Sequence, residues 1–269
     1  MTSTWRWPTP SGLPPLPVVG SLLALAVMVW WTAPIVEIDL TRLIGAPGKI
    51  LEFFSHLAVM PDWKYLPQLL QRMLETIEMT VLATAIATLI SLPLGLLAAR
   101  NATPHVLVYR VARDLLSLMR ALPELVWALI FVSALGLGPF PGVMAMAFVT
   151  VGFMGKFVAE AIEVVDPKAV EGVRAQGADW FQSRTFAMLP QALPDLIGTL
   201  MYILDHNLRS AAILGLVGAG GIGYDMIMSV RLFQYDRLLL IALAIYLVVT
   251  LLDRSSDLLR ARIIQGARA

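Results

Sequence analysis

Six predominantly apolar stretches, at about 17–36, 72–98, 115–137, 142–162, 192–216 and 236–253, constrain this chain more than any other feature. Each is close to the roughly 20 residues that a helix needs to cross a bilayer. Hydrocarbon offers no partner to a backbone N–H or C=O, so each stretch has to be helical throughout. The predicted fold is an all-α membrane protein with about six transmembrane helices. Composition agrees. Of 269 residues, 58% are hydrophobic and 14% charged, and the mean hydropathy of +0.76 lies outside the range of soluble domains. Between the first and second runs, Glu37 to Tyr65 is too polar to span. Its apolar patch of Ile50, Leu51, Phe53, Phe54 and Leu57, with prolines at 47 and 61, suits a loop carrying an interfacial helix. Residues 1–69 are thus read as a tail, a first transmembrane helix and that loop, and 70–269 as the main transmembrane domain. The Trp- and Pro-rich start, Met1 to Pro17, is not followed by a clear small-residue cleavage site, so the first run is read as a retained helix.

Charge is balanced, 20 basic residues against 19 acidic, which gives no pull toward nucleic acid. There is no cysteine, which excludes disulfides, thiolate metal sites and cysteine nucleophiles, and His56, His105 and His206 are too scattered to suggest a metal site. The distribution of basic residues sets orientation. Arg100, Arg110 and Arg113 follow the second run, Lys168, Arg174 and Arg184 the fourth, and Arg254, Arg260, Arg262 and Arg268 the sixth. Those loops and both termini are placed in the cytoplasm. Trp30 and Trp31 fit interfacial anchors at the outer end of the first run.

The cytoplasmic segment after the fourth run carries full helix punctuation: Asp166 as N-cap, Pro167 at the first helical position and Gly177 as terminator. A helix of about three turns follows, with Val170 and Val173 on one face. Trp180, Phe181, Phe186 and Leu189 add more apolar surface than a solvated loop exposes. Two readings fit: these residues pack against the chain's own helix ends, or they await a partner. The spacing Glu171-Gly172-Val173, then Gly177, then Ala187-Met188-Leu189-Pro190, resembles the Glu-Ala-Ala loop of bacterial ABC import permeases, with Gly172 and Val173 in place of the two alanines and Ala187 in place of the usual isoleucine. The resemblance implies a type I ABC importer permease fold in the bacterial inner membrane. It also implies that about 166–190 is a coupling helix seated in a cleft of a cytoplasmic ATPase, with Glu171 and Pro190 among its docking residues.

Within the fifth run stand Asp205, His206, Asn207 and Arg209, costly in hydrocarbon and expected to face a cavity or a partner. Asp205 and Arg209 lie four apart on one helix face, as do Arg120 and Glu124 in the third run. Each pair is either an internal ion pair or a lining for an anion path, for which a guanidinium is well suited. The runs Leu122–Val132, Gly155–Glu163, Asn207-Leu208-Arg209 and Gly215–Gly223 are similar to phosphonate-type permeases of the ABC importers. That similarity implies a path for phosphonate, phosphite or hypophosphite and a homodimeric permease. It further implies a cytoplasmic ATPase dimer that holds ATP and Mg²⁺, an external binding protein, and no cofactor on this chain. A methionine-type or other small-solute permease and an ATP-independent channel are the alternatives.

Gly218, Gly220 and Gly223 satisfy the glycine spacing of a dinucleotide-binding turn, but a membrane run precedes them and the required acid is missing, so the match is discounted. Glycines permit positive backbone angles and close helix approach, and by resemblance Gly218, Gly220, Gly221 and Gly223 form a gate at the outer end of the path. There is no Gly-x-Ser-x-Gly, no metal cluster and no Walker lysine motif, so no enzymatic role is expected. Glu75 and Glu78, near the outer start of the second run, are expected to meet water or an external partner.

Overall fold

The computed structural model describes residues 16–34, 40–57 and 60–266. The start of the chain through residue 15 and the basic residue Arg268 lie outside the described residues. Among the described residues every regular element is helical, and the chain divides into two units at residue 58.

The first unit holds α1 (Leu16–Thr32) and α2 (Leu40–Leu57). The 17 residues of α1 sit at the short limit for a span. Leu22, Leu25, Met28, Trp30 and Trp31 are all exposed on it, as suits a helix whose solvent is lipid. A helix, α2, forms over the expected apolar patch but starts ten residues earlier than it, and Pro47 lies inside it.

The second unit opens with α3 (Leu66–Ala98), whose 33 residues reach about 50 Å, well beyond the thickness of the hydrocarbon. The third apolar run is not one helix. It breaks into α4 (Val106–Met119) and α5 (Glu124–Leu135), which meet at 84°. Pro123 explains the break, because the residue before a proline is driven out of the α region and the proline has no N–H to donate. Then follow α6 (Pro139–Glu163), α7 (Pro167–Ala175), α8 (Trp180–Ser183), a π turn over Arg184–Met188, α9 (Leu189–Leu214), α10 (Gly221–Arg231) and α11 (Tyr235–Gly266). Four helical segments, 63–98, 139–163, 180–217 and 235–256, are long and apolar enough to cross a membrane, and the α4–α5 elbow makes a fifth. With the shorter α1 these are the six apolar runs.

The most buried of these spans is α6, which packs against α3, α4, α5 and α9. Missing side chains allow the approach, since lipid gives helices no hydrophobic drive to associate and close dispersion contact has to hold them. A Cβ on Gly95 of α3 would stand 2.5 Å from Val158 Cβ on α6, and one on Gly155 would stand 2.5 Å from Leu116 of α4.

Candidate functional site

Three constellations lie along the second unit. At one end of the bundle, the Asp166 carboxylate accepts the Lys168 N–H at 2.9 Å, Pro167 opens α7, and Gly177 leaves it at a φ of +89°. Local chemistry alone builds this helix. Val170 is buried and Val173 half-buried against the core of α3, α4 and α6, and Leu189 packs there too. Trp180 donates its indole N–H to the Ala102 carbonyl at 3.0 Å, and the buried Arg184 donates Nε–H to the same oxygen at 3.1 Å while lying 4.7 Å over the Trp180 ring. The loop 99–105 is tied in turn to α6, with Arg100 N–H bonded to Glu163 and the Asn101 amide to Ile162 O, both at 2.8 Å. The apolar surface of the segment therefore splits in two. Val170, Val173 and Leu189, counted among the docking residues, pack against the chain's own bundle, and Trp180 is tied to it through its indole N–H while its side chain stays 37% exposed. What faces outward is Glu171, Gly172 and Arg174, with Phe181 at 64% and Phe186 at 70% exposure. Pro190 explains the π turn: without an N–H it breaks the α ladder, and Leu189 N–H reaches back to Arg184 O.

In mid-bundle the buried Asn207 of α9 bridges two other helices. Its amide donates to Thr84 Oγ1 of α3 at 2.9 Å, and its carbonyl oxygen accepts from Thr150 of α6 at 3.0 Å. Beside it opens a cavity of about 110 Å³, lined by Glu124, Phe153, Phe157, Tyr202 and His206 among others. Glu124, in the first turn of α5 where the helix dipole favours an anion, lies near Ser210 and His206. One of its carboxylate oxygens is buried and unpartnered.

Asp205 and Arg209 form the ion pair that is one of the two readings of their spacing; the acid beside them is Asp253 of α11, and Arg209 lies on the same side of α9 as Tyr202, seven residues away. One expectation for this region is corrected. Arg120 and Glu124 do not share a helix face, because the elbow falls between them. Arg120 Nε–H bonds Leu116 O at 3.2 Å, and its guanidinium sits 5.6 Å over Phe153.

At the other end, Gly218, Gly220 and Gly221 take φ values of +79°, +78° and +67°, folding the chain back from α9 into α10. A Cβ on Gly223 would lie 2.0 Å from Ala212 O, so the two helices meet backbone to backbone. The opening N–H groups of α10 are capped from α3: Ile222 N–H by Thr76 Oγ1 at 2.8 Å and Gly221 N–H by Glu75 at 3.4 Å. Glu75 thus turns inward, and Arg72 pairs with it at 2.8 Å, while Glu78 stays exposed. Asp225 of α10 accepts the Tyr65 hydroxyl at 2.5 Å. Sequence reasoning missed these caps. The threonines at 76, 80, 84 and 88, one per helical turn, were the visible signal.

The model of the family described as "Binding-protein-dependent transport system inner membrane component" matches residues 91–265. The phosphite transport system permease protein PtxC of Stutzerimonas stutzeri is 38% identical over 242 residues, which cover 90% of this chain and 87% of that protein. The phosphate-import permease protein PhnE of Mycolicibacterium smegmatis is 43% identical over 190 residues, 71% of this chain, which spans only 36% of that longer protein. Among solved structures, the inward-facing MetNI methionine ABC transporter superposes with a TM-score of 0.66 at 22% identity, covering 75% of this chain and 99% of that one. This last likeness is one of fold.

Proposed function

The chain belongs to the family of binding-protein-dependent transport system inner membrane components, and on that premise we propose that it is the permease subunit of an ATP-driven importer for phosphonate, phosphite or hypophosphite. The observation that carries the cargo is the 38% identity to a phosphite permease sustained over 90% of this chain. Membership of an ABC importer family implies a separate ATPase and an external binding protein as partners. ATP and Mg²⁺ belong to the ATPase, and this chain needs no cofactor and performs no hydrolysis.

The end of the bundle that carries α7 faces the cytoplasm, with both termini on that side of the inner membrane. There Glu171, Arg174, Phe181 and Phe186 seat in the ATPase. Closure of the ATPase pair moves α7, and the shared Ala102 carbonyl forces the loop 99–105 and the foot of α9 to move with it. From that foot, α9 runs 26 residues, about 39 Å, to the glycine turn at the far end. One rod therefore joins lever and gate. Cargo passes the cavity beside Glu124 and Asn207. His206, Tyr202 and Phe153 are exposed beside that cavity in the lone chain, and Arg209 is half-exposed. Ionisable groups on a span require cover other than lipid, and a second copy of the chain supplies it, closing the cavity into a path.

Uptake of labelled phosphite, hypophosphite and methylphosphonate by vesicles carrying the whole transporter tests the cargo; uptake of none refutes it. Deleting Pro167–Gln176 is expected to abolish ATPase recovery in a pull-down while membrane insertion is retained. Normal recovery would refute the docking role and favour an ATP-independent channel.

A further inference from the structure

A second cavity, about 70 Å³, lies between α4 and α6 on the α7 side of the first, lined by Arg113, Ser117, Arg120 and Lys156 and floored by Leu116 and Ala159. It exceeds the roughly 10–15 Å³ that one water needs. No acidic side chain lines it. Two of its cations are partly neutralised, Arg113 by Glu163 at 2.8 Å and Lys156 by Glu160 at 3.5 Å. Arg120 has no carboxylate partner among the described residues. Its one hydrogen bond there is through Nε, which leaves the terminal guanidinium nitrogens with donors to offer. Phe153 connects the two cavities, since it lies under Arg120 and also lines the space beside Glu124.

We propose that this basic pocket is a second subsite on the path, one that takes a phosphorus oxyanion after it passes Phe153 and before it enters the cytoplasm. The proposal rests on the reading of the chain as a phosphorus-oxyanion importer. The chemistry of the two cavities differs in the sense that inward movement requires. The first offers aromatic walls and a carboxylate, which hold an anion weakly. The second offers guanidinium, ammonium and hydroxyl donors, which suit the oxygens of a tetrahedral anion. Arg113 and Lys156 keep 41% and 50% of their side chains exposed and are each shared with a glutamate, so the pocket is open and its hold on the anion is loose enough for it to leave. A phospholipid headgroup carries the same oxyanion chemistry and has to be separated by experiment.

The test uses the complete transporter in vesicles oriented with the ATPase in the bath, with binding protein and labelled phosphite inside. Unlabelled phosphite in the bath then meets the cytoplasmic side. It is expected to slow transport, and Arg120→Gln with Lys156→Gln is expected to raise its half-inhibitory concentration about tenfold or more, the loss for a charge-assisted bond, while Lys156→Arg keeps the wild-type value. If the double variant fails to assemble with the ATPase, Lys156→Gln alone carries the comparison, because that side chain is half-exposed. An unchanged half-inhibitory concentration overturns the subsite. So does a wild-type inhibition that vanishes when anionic phosphatidylglycerol is added to phosphatidylcholine vesicles, which makes the pocket a lipid site. A wild type that moves no phosphorus anion refutes the cargo itself and is recognised without any variant.

Discussion

The shared Ala102 carbonyl permits a sharp test of the lever. Trp180→Phe removes one donor and keeps the ring, and Arg184→Met removes the other and keeps the length of the stem. Each single variant leaves the oxygen with one partner. Trp180→Phe costs about 1–1.5 kcal/mol, the net value of an ordinary hydrogen bond, and Arg184→Met costs more, because its bonds are charge-assisted and the one from Nη1 to Trp180 O at 3.1 Å is lost as well. The double variant differs in kind. Ala102 is fully buried, and an orphaned buried acceptor costs about 1–3 kcal/mol beyond the bonds themselves. The two changes are therefore not additive, and the coupling is expected to be about 1–3 kcal/mol, a factor of roughly five or more. Amide exchange over residues 167–188, measured in the assembled complex, reads the local opening directly. Trp180→Phe should speed exchange there roughly tenfold, Arg184→Met more, and the double variant about five times or more beyond the product of the two. Transport per ATP should fall in the same order, since a loosened lever no longer drags the loop 99–105 with it. Strictly additive exchange rates would refute the shared anchor, and unchanged exchange in all three would show that α7 is held by packing alone.

Replacing Phe181 and Phe186 by serine should weaken ATPase binding about tenfold or more for each ring that the partner buries, without changing exchange in α7; unaltered affinity in a pull-down titration would move the docking surface elsewhere. Thr76→Val keeps the shape of the side chain but orphans the N–H of the buried Ile222 at a cost of about 1–3 kcal/mol. The glycine turn should then open more often, seen as faster labelling of an Ile222→Cys reporter, and labelling at the wild-type rate would remove Thr76 from the gate.

What the sequence revealed was the local part. Asp166, Pro167 and Gly177 act within one turn of their own positions, so α7 is readable from its own residues. Apolar runs report composition over a length of chain but not its direction, and for that reason the third run read as one span although Pro123 bends it. The same limit explains Asp205 and Arg209. Their spacing announces an ion pair, and the pair is there, but spacing does not say which face of α9 looks inward. That face belongs to Asn207, a residue drawing no notice by charge, because its partners Thr84 and Thr150 lie 123 and 57 residues away.

The ties that sequence could not reveal join α3 and the loop after it to the rest of the bundle at three levels: Ala102 to Trp180 of α8 at the α7 end, Thr84 to Asn207 of α9 in the middle, and Glu75 and Thr76 to the start of α10 at the glycine turn. Between those levels α3 carries small residues such as Ala83, Ala87 and, against α6, Gly95, which pack closely without interlocking. Interhelical hydrogen bonds inside a membrane are worth only about 0.6 kcal/mol on average. Such bonds fix register yet break within the energy of a single ATP-driven closure. A bundle held by deep apolar interdigitation would resist sliding over its whole length, whereas one pinned at a few exchangeable polar points can shift its long helices as rigid bodies. The Asn207 bridge lies between the α7 end and the glycine turn, where a small rotation of α9 alters both ends at once.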